Sequence, residues 1–273
     1  MAATADAAVV FVGFNPTSES EGADRTFGLG FGQDDLVREV AAANKRTIVV
    51  LTAGGAVDVT RWIEQVPALL QTWYGGQEAG RALPRLLFGE VNPSGHLPIS
   101  WERRWEDNPV HDTYYPNAPA NTVIYSEGVF VGYRGYEHTG VKPLFPFGFG
   151  LTYTTFACSN LAIAPAAPKV GEAVTVSFDV ANTGTRAGTA VAQIYLGNPT
   201  AGVPRPLKEL KGFERVDLNA GEKRHVSLVL EPRAMSYWDV TGHAWKQEPG
   251  RFTVFVGQSS ADIDLTAEYT VAP

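Results

Sequence analysis

Two incompatible hydrophobic periods occupy the two ends of this chain, and a change of period along a sequence is a change of fold class. Near the N-terminus, Ala7 to Gly13 (AAVVFVG) is a continuous apolar run, rich in valine and closed by glycine. That pattern predicts a strand buried on both faces of a parallel sheet. From Asp34 the apolar positions Leu36, Val37, Val40 and Ala41 recur at helical spacing, with Asp34 and Asp35 suited to the positive end of that helix. Thr47 to Leu51 (TIVVL) predicts the next buried strand, and Ala68 to Leu70 leads through Trp73-Tyr74-Gly75-Gly76 into a helical stretch from Gln77 to Phe88. Strand and helix in alternation predict an α/β layered sandwich. After Leu161 the period falls to two, in Ala173 to Val180, Val191 to Leu196, His225 to Leu230 and Phe252 to Val256. With turns at Asn182-Thr183-Gly184, Asn219-Ala220-Gly221 and Glu248-Pro249-Gly250, these segments predict an all-β sandwich of immunoglobulin-like type. The boundary is expected near residue 158, giving an α/β domain over 1–157 and a β-sandwich over 158–273.

Between Asn92 and Gly150 the sequence reads as a long loop rich in Pro, Gly, Asn and Tyr, and a loop of that length is expected to be functional or to bridge domains. Its aromatics, which include Trp101, Trp105, Tyr114, Tyr115, Tyr133 and Phe147, could stack on sugar rings. Most are expected to pack the loop onto its domain instead.

Composition excludes several function classes. The 273 residues are 44% hydrophobic, enough to bury a sizeable core in two domains. A formal net charge of −7, with no basic run longer than Arg103-Arg104 or Lys45-Arg46, leaves no footprint for nucleic acid. No apolar run approaches the roughly 18 to 20 residues that span a bilayer, so no membrane partner is expected and the chain reads as soluble. Met1 to Asp6 lacks the basic and apolar regions of an export signal. No Asn-x-Ser/Thr sequon occurs, Asn92 being followed by Pro93. Cys158 is the single cysteine and is expected to pack as a small apolar side chain. His96, His111, His138, His225 and His243 show no metal-ligand spacing, so neither a metal nor another cofactor is predicted. Gly28-Leu29-Gly30-Phe31-Gly32 is not a dinucleotide fingerprint, and neither a phosphate-binding P-loop nor a G-x-S-x-G elbow is present.

What remains is the acidic loop Ser18-Glu19-Ser20-Glu21-Gly22-Ala23-Asp24-Arg25, at the C-terminal end of the first predicted strand. Open α/β sheets present functional groups at that end. A carboxyl acting as general acid needs its pKa raised, and Glu19, two residues from Glu21, could contribute such a field. Gly22 would let the backbone turn sharply beside it. A solvated acidic loop with a contact between Asp24 and Arg25 explains the same residues, and from these residues alone both readings stand.

Glu21-Gly22-Ala23-Asp24-Arg25 is also the first of an ordered series of motifs. It continues with Gln33-Asp34-Asp35-Leu36-Val37, Trp73-Tyr74-Gly75-Gly76-Gln77-Glu78, Gly89-Glu90-Val91-Asn92-Pro93-Ser94-Gly95-His96-Leu97-Pro98, Gly128 to Arg134 and Phe145 to Thr154. The series resembles glycoside hydrolase family 3, the β-glucosidases and β-xylosidases. Lys208-Glu209-Leu210-Lys211-Gly212-Phe213 and Glu248-Pro249-Gly250 resemble that family's fibronectin type III-like domain.

The resemblance implies a retaining glycosidase acting on a β-linked oligosaccharide or glycoside. In it, an Asp of a (β/α)8 barrel attacks the anomeric carbon and a Glu of the following α/β sandwich serves as general acid/base. That role carries over to Glu21, with Glu19 the weaker candidate and Asp24 and Arg25 orienting the loop. In a retaining enzyme the two carboxyl groups lie about 5 to 5.5 Å apart. Nothing in this chain corresponds to the barrel or its nucleophile, and the α/β sandwich is expected to be partial and the chain inactive alone. Leu29-Gly30-Phe31-Gly32-Gln33 departs from the Leu-Pro that relatives often carry before the Gln, which affects loop shape more than chemistry. A second expectation, from another class, is a non-catalytic carbohydrate-binding or scaffold remnant.

Overall fold

The computed structural model describes residues 1–114 and 122–273, so Tyr115 lies outside the described residues. Two compact units emerge, one of Met1–Pro84 with Trp101–Asn108, the other of Arg85–Ser100 with Pro109–Pro273.

In the first unit the apolar runs become three parallel strands in the order β1-β2-β3: β1 (Ala8–Gly13), β2 (Thr47–Thr52) and β3 (Ala68–Gln71). Ala8 pairs with Thr47 and Gly13 with Thr52, while Ile48 pairs with Ala68. The helix α1 (Gln33–Ala43) joins β1 to β2 and buries Val37 and Ala41, as its spacing predicts; Leu36 remains exposed. Asp34, at its first turn, is buried and accepts a 2.8 Å bond from the Trp62 indole and a 3.2 Å bond from Arg61. Trp101 is also buried and donates to the Val57 carbonyl at 2.8 Å.

The expectation that β1 is buried on both faces is overturned. Val10 and Val12 are buried, but Val9 and Phe11, on the opposite face, are 41% and 62% exposed. Only the central β2 is closed over, with Val49, Val50 and Leu51 at 1% exposure or less. A short apolar run reports that both faces are apolar, and β1 is a sheet edge whose second face no element of this unit covers.

The helix α2 spans Ala79–Leu87, slightly inside its predicted limits, and contains Pro84. The stretch read as loop holds two further short helices, α3 (His111–Tyr114) and α4 (Tyr133–Thr139). With four and seven residues they are too short to print a helical period. At Gly135, inside α4, a Cβ would stand 2.3 Å from the Phe130 carbonyl oxygen, so only glycine fits there. Trp101 packs within the first unit, whereas other loop aromatics pack within the second: Tyr133 stacks on Phe147 at 5.0 Å and meets Tyr195 edge-on at 5.8 Å, while Phe145 stacks on Phe149 at 5.1 Å.

The second unit is built around the sandwich. One sheet has β4 (Phe156–Ala164), β5 (Val174–Asn182) and β8 (Lys223–Leu230) in the order β4-β5-β8. The other has β6 (Gly188–Gly197), β7 (Glu209–Leu218), β11 (Gly250–Gly257) and β12 (Ile263–Val271) in the order β12-β11-β6-β7. A separate ribbon pairs β9 (Tyr237–Asp239) with β10 (Ala244–Lys246). All pairings are antiparallel, and β5 alternates strictly between buried and half-buried positions, as a period of two requires. Val176, Phe178, Ile194, Met235, Phe252 and Val254 form the fully buried centre between the sheets. A register shift between Ser159 and Ala162, with Asn160 in the left-handed region (φ 58°), breaks the alternation of β4. This break hid β4 from the pattern. Cys158 packs against the core, and burial, reinforced by Asp264, pushes its thiol pKa far above the ordinary value; it is no nucleophile.

Two phenylalanines separate core from surface. Phe178→Ala should destabilise the sandwich by about 3 to 5 kcal/mol. Phe11→Thr should change stability by no more than about 1 kcal/mol while lowering the binding of a hydrophobic dye to the chain. Denaturant titration and dye fluorescence of both variants check this.

Candidate functional site

The site lies where β1 ends. Gly13 has φ 151° and runs so close to β2 that a Cβ would stand 2.1 Å from the Thr52 carbonyl oxygen. The Gln33 side chain brackets this glycine, accepting from its N–H at 2.7 Å and donating to its carbonyl at 3.0 Å. The segment between β1 and α1 is therefore closed at its base. Past Gly13 the chain turns at Asn15, whose side-chain oxygen accepts from the Thr17 N–H at 3.0 Å and whose carbonyl accepts from the N–H groups of Ser18 and Glu19, both at 2.9 Å. This Asx turn follows from the Asn-Pro-Thr-Ser sequence.

The next residues place the predicted site. Ser20 and Ala23 form an isolated antiparallel bridge, so Ser20-Glu21-Gly22-Ala23 is a tight reversal with Glu21 and Gly22 at its tip. Gly22 has φ 76°, which tight turns demand at this position and glycine adopts without strain. Glu21 and Asp24 are exposed, and among the described residues Glu21 has no hydrogen-bond or ion-pair partner.

Glu19 and Arg25 stand at the two ends of that reversal and meet. Arg25 Nε donates to Glu19 Oε1 at 2.6 Å, with side-chain exposures of 15% and 17%. The Arg25 guanidinium also donates to the carbonyls of Thr26 at 2.9 Å and Ala56 at 2.7 Å, and lies 4.6 Å from the Phe14 ring centre. The other Glu19 oxygen accepts from the Gly54 N–H at 2.9 Å and from the Tyr74 hydroxyl. Gly54 and Tyr74 follow β2 and β3, so one carboxylate joins the segments beyond the C-terminal ends of all three strands.

Burial alone would raise the Glu19 pKa, but the bonds from Tyr74, Gly54 and Arg25 outweigh it and hold the carboxyl below its ordinary value. The same contact, with Glu19 first among the causes, raises the Tyr74 pKa, so the phenol stays a donor. Glu19 is thus an ionised strut, unsuited to carry a proton at neutral pH. The structure brings Glu19 and Arg25 together and leaves Glu21 at the tip between them. The sequence does not single out Gly54, Ala56 or Tyr74 as site residues. Tyr74 carries one usable signal, its place in an aromatic-glycine cluster directly after a strand. No group of three or more His, Cys, Asp or Glu side chains suited to hold a metal ion occurs among the described residues.

Residues 1–133 match the glycosyl hydrolase family 3 C-terminal domain, and residues 190–260 match a fibronectin type III-like domain. A probable β-glucosidase I of Aspergillus terreus is 42% identical over 277 residues, a match covering 99% of this chain and 32% of the relative. A solved β-glucosidase of Kluyveromyces marxianus superposes with a TM-score of 0.92 at 40% identity, covering 100% of this chain and 32% of that one. A Bifidobacterium adolescentis β-glucosidase gives 0.93 at 38% identity, covering 99% and 40%. The chain spans about a third of the length of the curated relatives it matches.

The lowered Glu19 pKa fixes a pH dependence. A carboxyl whose folded pKa is depressed contributes stability above its unfolded value, about 4.3 for Glu, and loses it as pH falls through the folded value. Glu19→Gln should therefore lower the melting temperature at pH 7 by a few degrees, roughly 2 to 4 °C for each kcal/mol lost. The gap to the unmodified chain should close below about pH 4. Melting curves across pH 3 to 8 measure it; a gap that stays constant into acid would contradict the ionised strut.

Proposed function

Because this chain belongs to glycoside hydrolase family 3, as the C-terminal part of that architecture, we propose that it serves a retaining β-glucosidase whose general acid/base is Glu21. The observation that carries the reading is the position of Glu21. It is exposed and, among the described residues, without a bonded partner, at the tip of a reversal whose two ends are locked by an ion pair, on the side of a parallel sheet where α/β folds place their chemistry. Glu19 fits the role poorly, since three donors hold it ionised.

On this reading the nucleophile comes from a (β/α)8 barrel, and the substrate is a β-linked glucoside. In the first step the barrel carboxylate bonds to the anomeric carbon as the glycosidic C–O bond breaks, and the Glu21 carboxyl gives its proton to the departing oxygen. In the second step the Glu21 carboxylate takes a proton from water while that water's oxygen bonds to the anomeric carbon, releasing the nucleophile and restoring the Glu21 acid. Without a barrel carboxylate about 5 to 5.5 Å from Glu21 neither step proceeds, so the chain alone does not turn over glycosides.

With the barrel present, Glu21→Ala should abolish hydrolysis of alkyl glucosides, whose leaving groups need protonation. Aryl glucosides with acidic leaving groups should still form the glycosyl-enzyme, and added azide should restore turnover by attacking without a base. Glu19→Ala should cost about 10-fold without azide rescue, as befits a strut. If the azide rescue appears at Glu19 and not at Glu21, the assignment is wrong. Isothermal titration of the chain alone with glucose and cellobiose addresses the non-catalytic alternative, which requires binding without the barrel.

A further inference from the structure

We infer that Tyr74 is a positioning residue for the Glu21 acid, acting through Glu19: its hydroxyl ties the base of the Glu21 reversal to the segment that follows β3. The inference rests on the assignment of Glu21 as the acid/base. Its physical basis is the origin of each donor on Glu19. Arg25 belongs to the same loop; its ion pair closes the reversal on itself, and its bond to the Ala56 carbonyl at 2.7 Å reaches the segment after β2 but not the one after β3. Gly54 contributes one backbone N–H, 35 residues away. Tyr74, 55 residues away, is among the described residues the one side chain from outside the loop that bonds the Glu19 carboxylate.

The donor is itself held firmly. Thr72, two residues earlier, returns its N–H to the Leu51 carbonyl at 2.9 Å, and its hydroxyl meets that of Thr52 at 3.1 Å, so the ends of β2 and β3 are pinned together. Trp73 then takes a left-handed conformation (φ 51°), costly for a bulky side chain and a mark of a backbone set by its surroundings. Gly75 follows, where a Cβ would stand 2.7 Å from that of Ala79. The kink at Trp73 and the tight passage at Gly75 direct the Tyr74 hydroxyl onto Glu19. The Tyr74 side chain is otherwise 55% exposed, so removing the hydroxyl leaves no cavity.

An acid must be held close to productive geometry, and a displacement of about 1 Å can cost about 100-fold. The cost falls on the steps that need proton transfer. Tyr74→Phe should therefore lower kcat for alkyl glucosides by a few-fold, and by no more than the roughly 10-fold expected of Glu19→Ala, leave their KM little changed, and spare glycosyl-enzyme formation from dinitrophenyl glucosides. A residue that merely supports folding would affect both substrate classes alike.

A second readout uses the chain as it is. The titratable groups bonded to Glu19 are Arg25 and Tyr74, and the remaining donor is the Gly54 amide. Loss of the phenol removes a bond that favours the Glu19 carboxylate, so the pH at which amides of residues 15–28 lose exchange protection should rise by about one unit in Tyr74→Phe. Glu21→Gln should leave that midpoint unchanged, and Glu19→Gln should remove the transition. Hydrogen exchange followed by mass spectrometry from pH 3 to 7, corrected for intrinsic rates, measures the midpoint; the leaving-group series is run with the barrel present. An unchanged midpoint in Tyr74→Phe, or an equal loss for alkyl and dinitrophenyl glucosides, overturns the inference. If Glu21→Ala retains alkyl glucoside hydrolysis, the acid assignment falls and Tyr74's catalytic part falls with it, even where the midpoint has moved.

Discussion

A carboxylate taken partly out of water must find donors, and in this chain the carboxylate of Glu19 finds them on three different segments. Arg25 meets one oxygen, and the Gly54 amide and the Tyr74 hydroxyl meet the other. Each bond alone is modest, but together they outweigh the cost of burial and leave the group more acidic than a free glutamate. What depends on it is the reversal from Ser20 to Ala23, which has no apolar core of its own. Its order comes from the two clamped ends and from the turn geometry that Gly22 allows.

The second unit solves the same problem at a different place. Glu209 is surrounded by Arg205 at 2.9 Å and by Arg134 and Lys211 at 3.4 Å each. Burial would raise its pKa, but Lys211 and Arg205 bring it below the usual carboxylate value. Burial lowers the pKa of Lys211 despite the neighbouring Glu209. Glu137 pairs with Lys208, yet burial wins there and its pKa is raised. Such pairs add little net stability, because desolvation offsets attraction, but an unpaired alternative is costly enough to fix which segments lie together. Here they join α4 to the start of β7, just as Glu19 joins the loops of the first unit.

The sandwich and the parallel sheet differ in how much of their burial the sequence could report. In the sandwich the period of two located β5, β6, β8 and β11; β5 alternates between a buried and a half-buried face, while the central strands β6 and β11 are buried over most of their length. β4 escaped because its register shift at Asn160 interrupts the period, and α4 because seven residues around a glycine do not make one. In the parallel sheet a run such as AAVVFVG is apolar throughout and carries no sign of which face is covered. β2, in the middle, is covered on both; β1, at the edge, is covered on one.

Of the site, the sequence by itself determined the reversal and the groups it carries. Glycine at position 22 permits the turn, glutamates at 19 and 21 supply carboxyls, and Arg25 sits within reach of both, all inside seven residues. Only the tertiary structure decided that Glu19, and not Glu21, takes the arginine together with an amide and a phenol from 35 and 55 residues away. The reason is physical. Local sequence encodes period and turn, which depend on neighbours along the chain. A charge chooses its partners among whatever groups the sheet brings to the same end, and parallel pairing of β1, β2 and β3 sets that company.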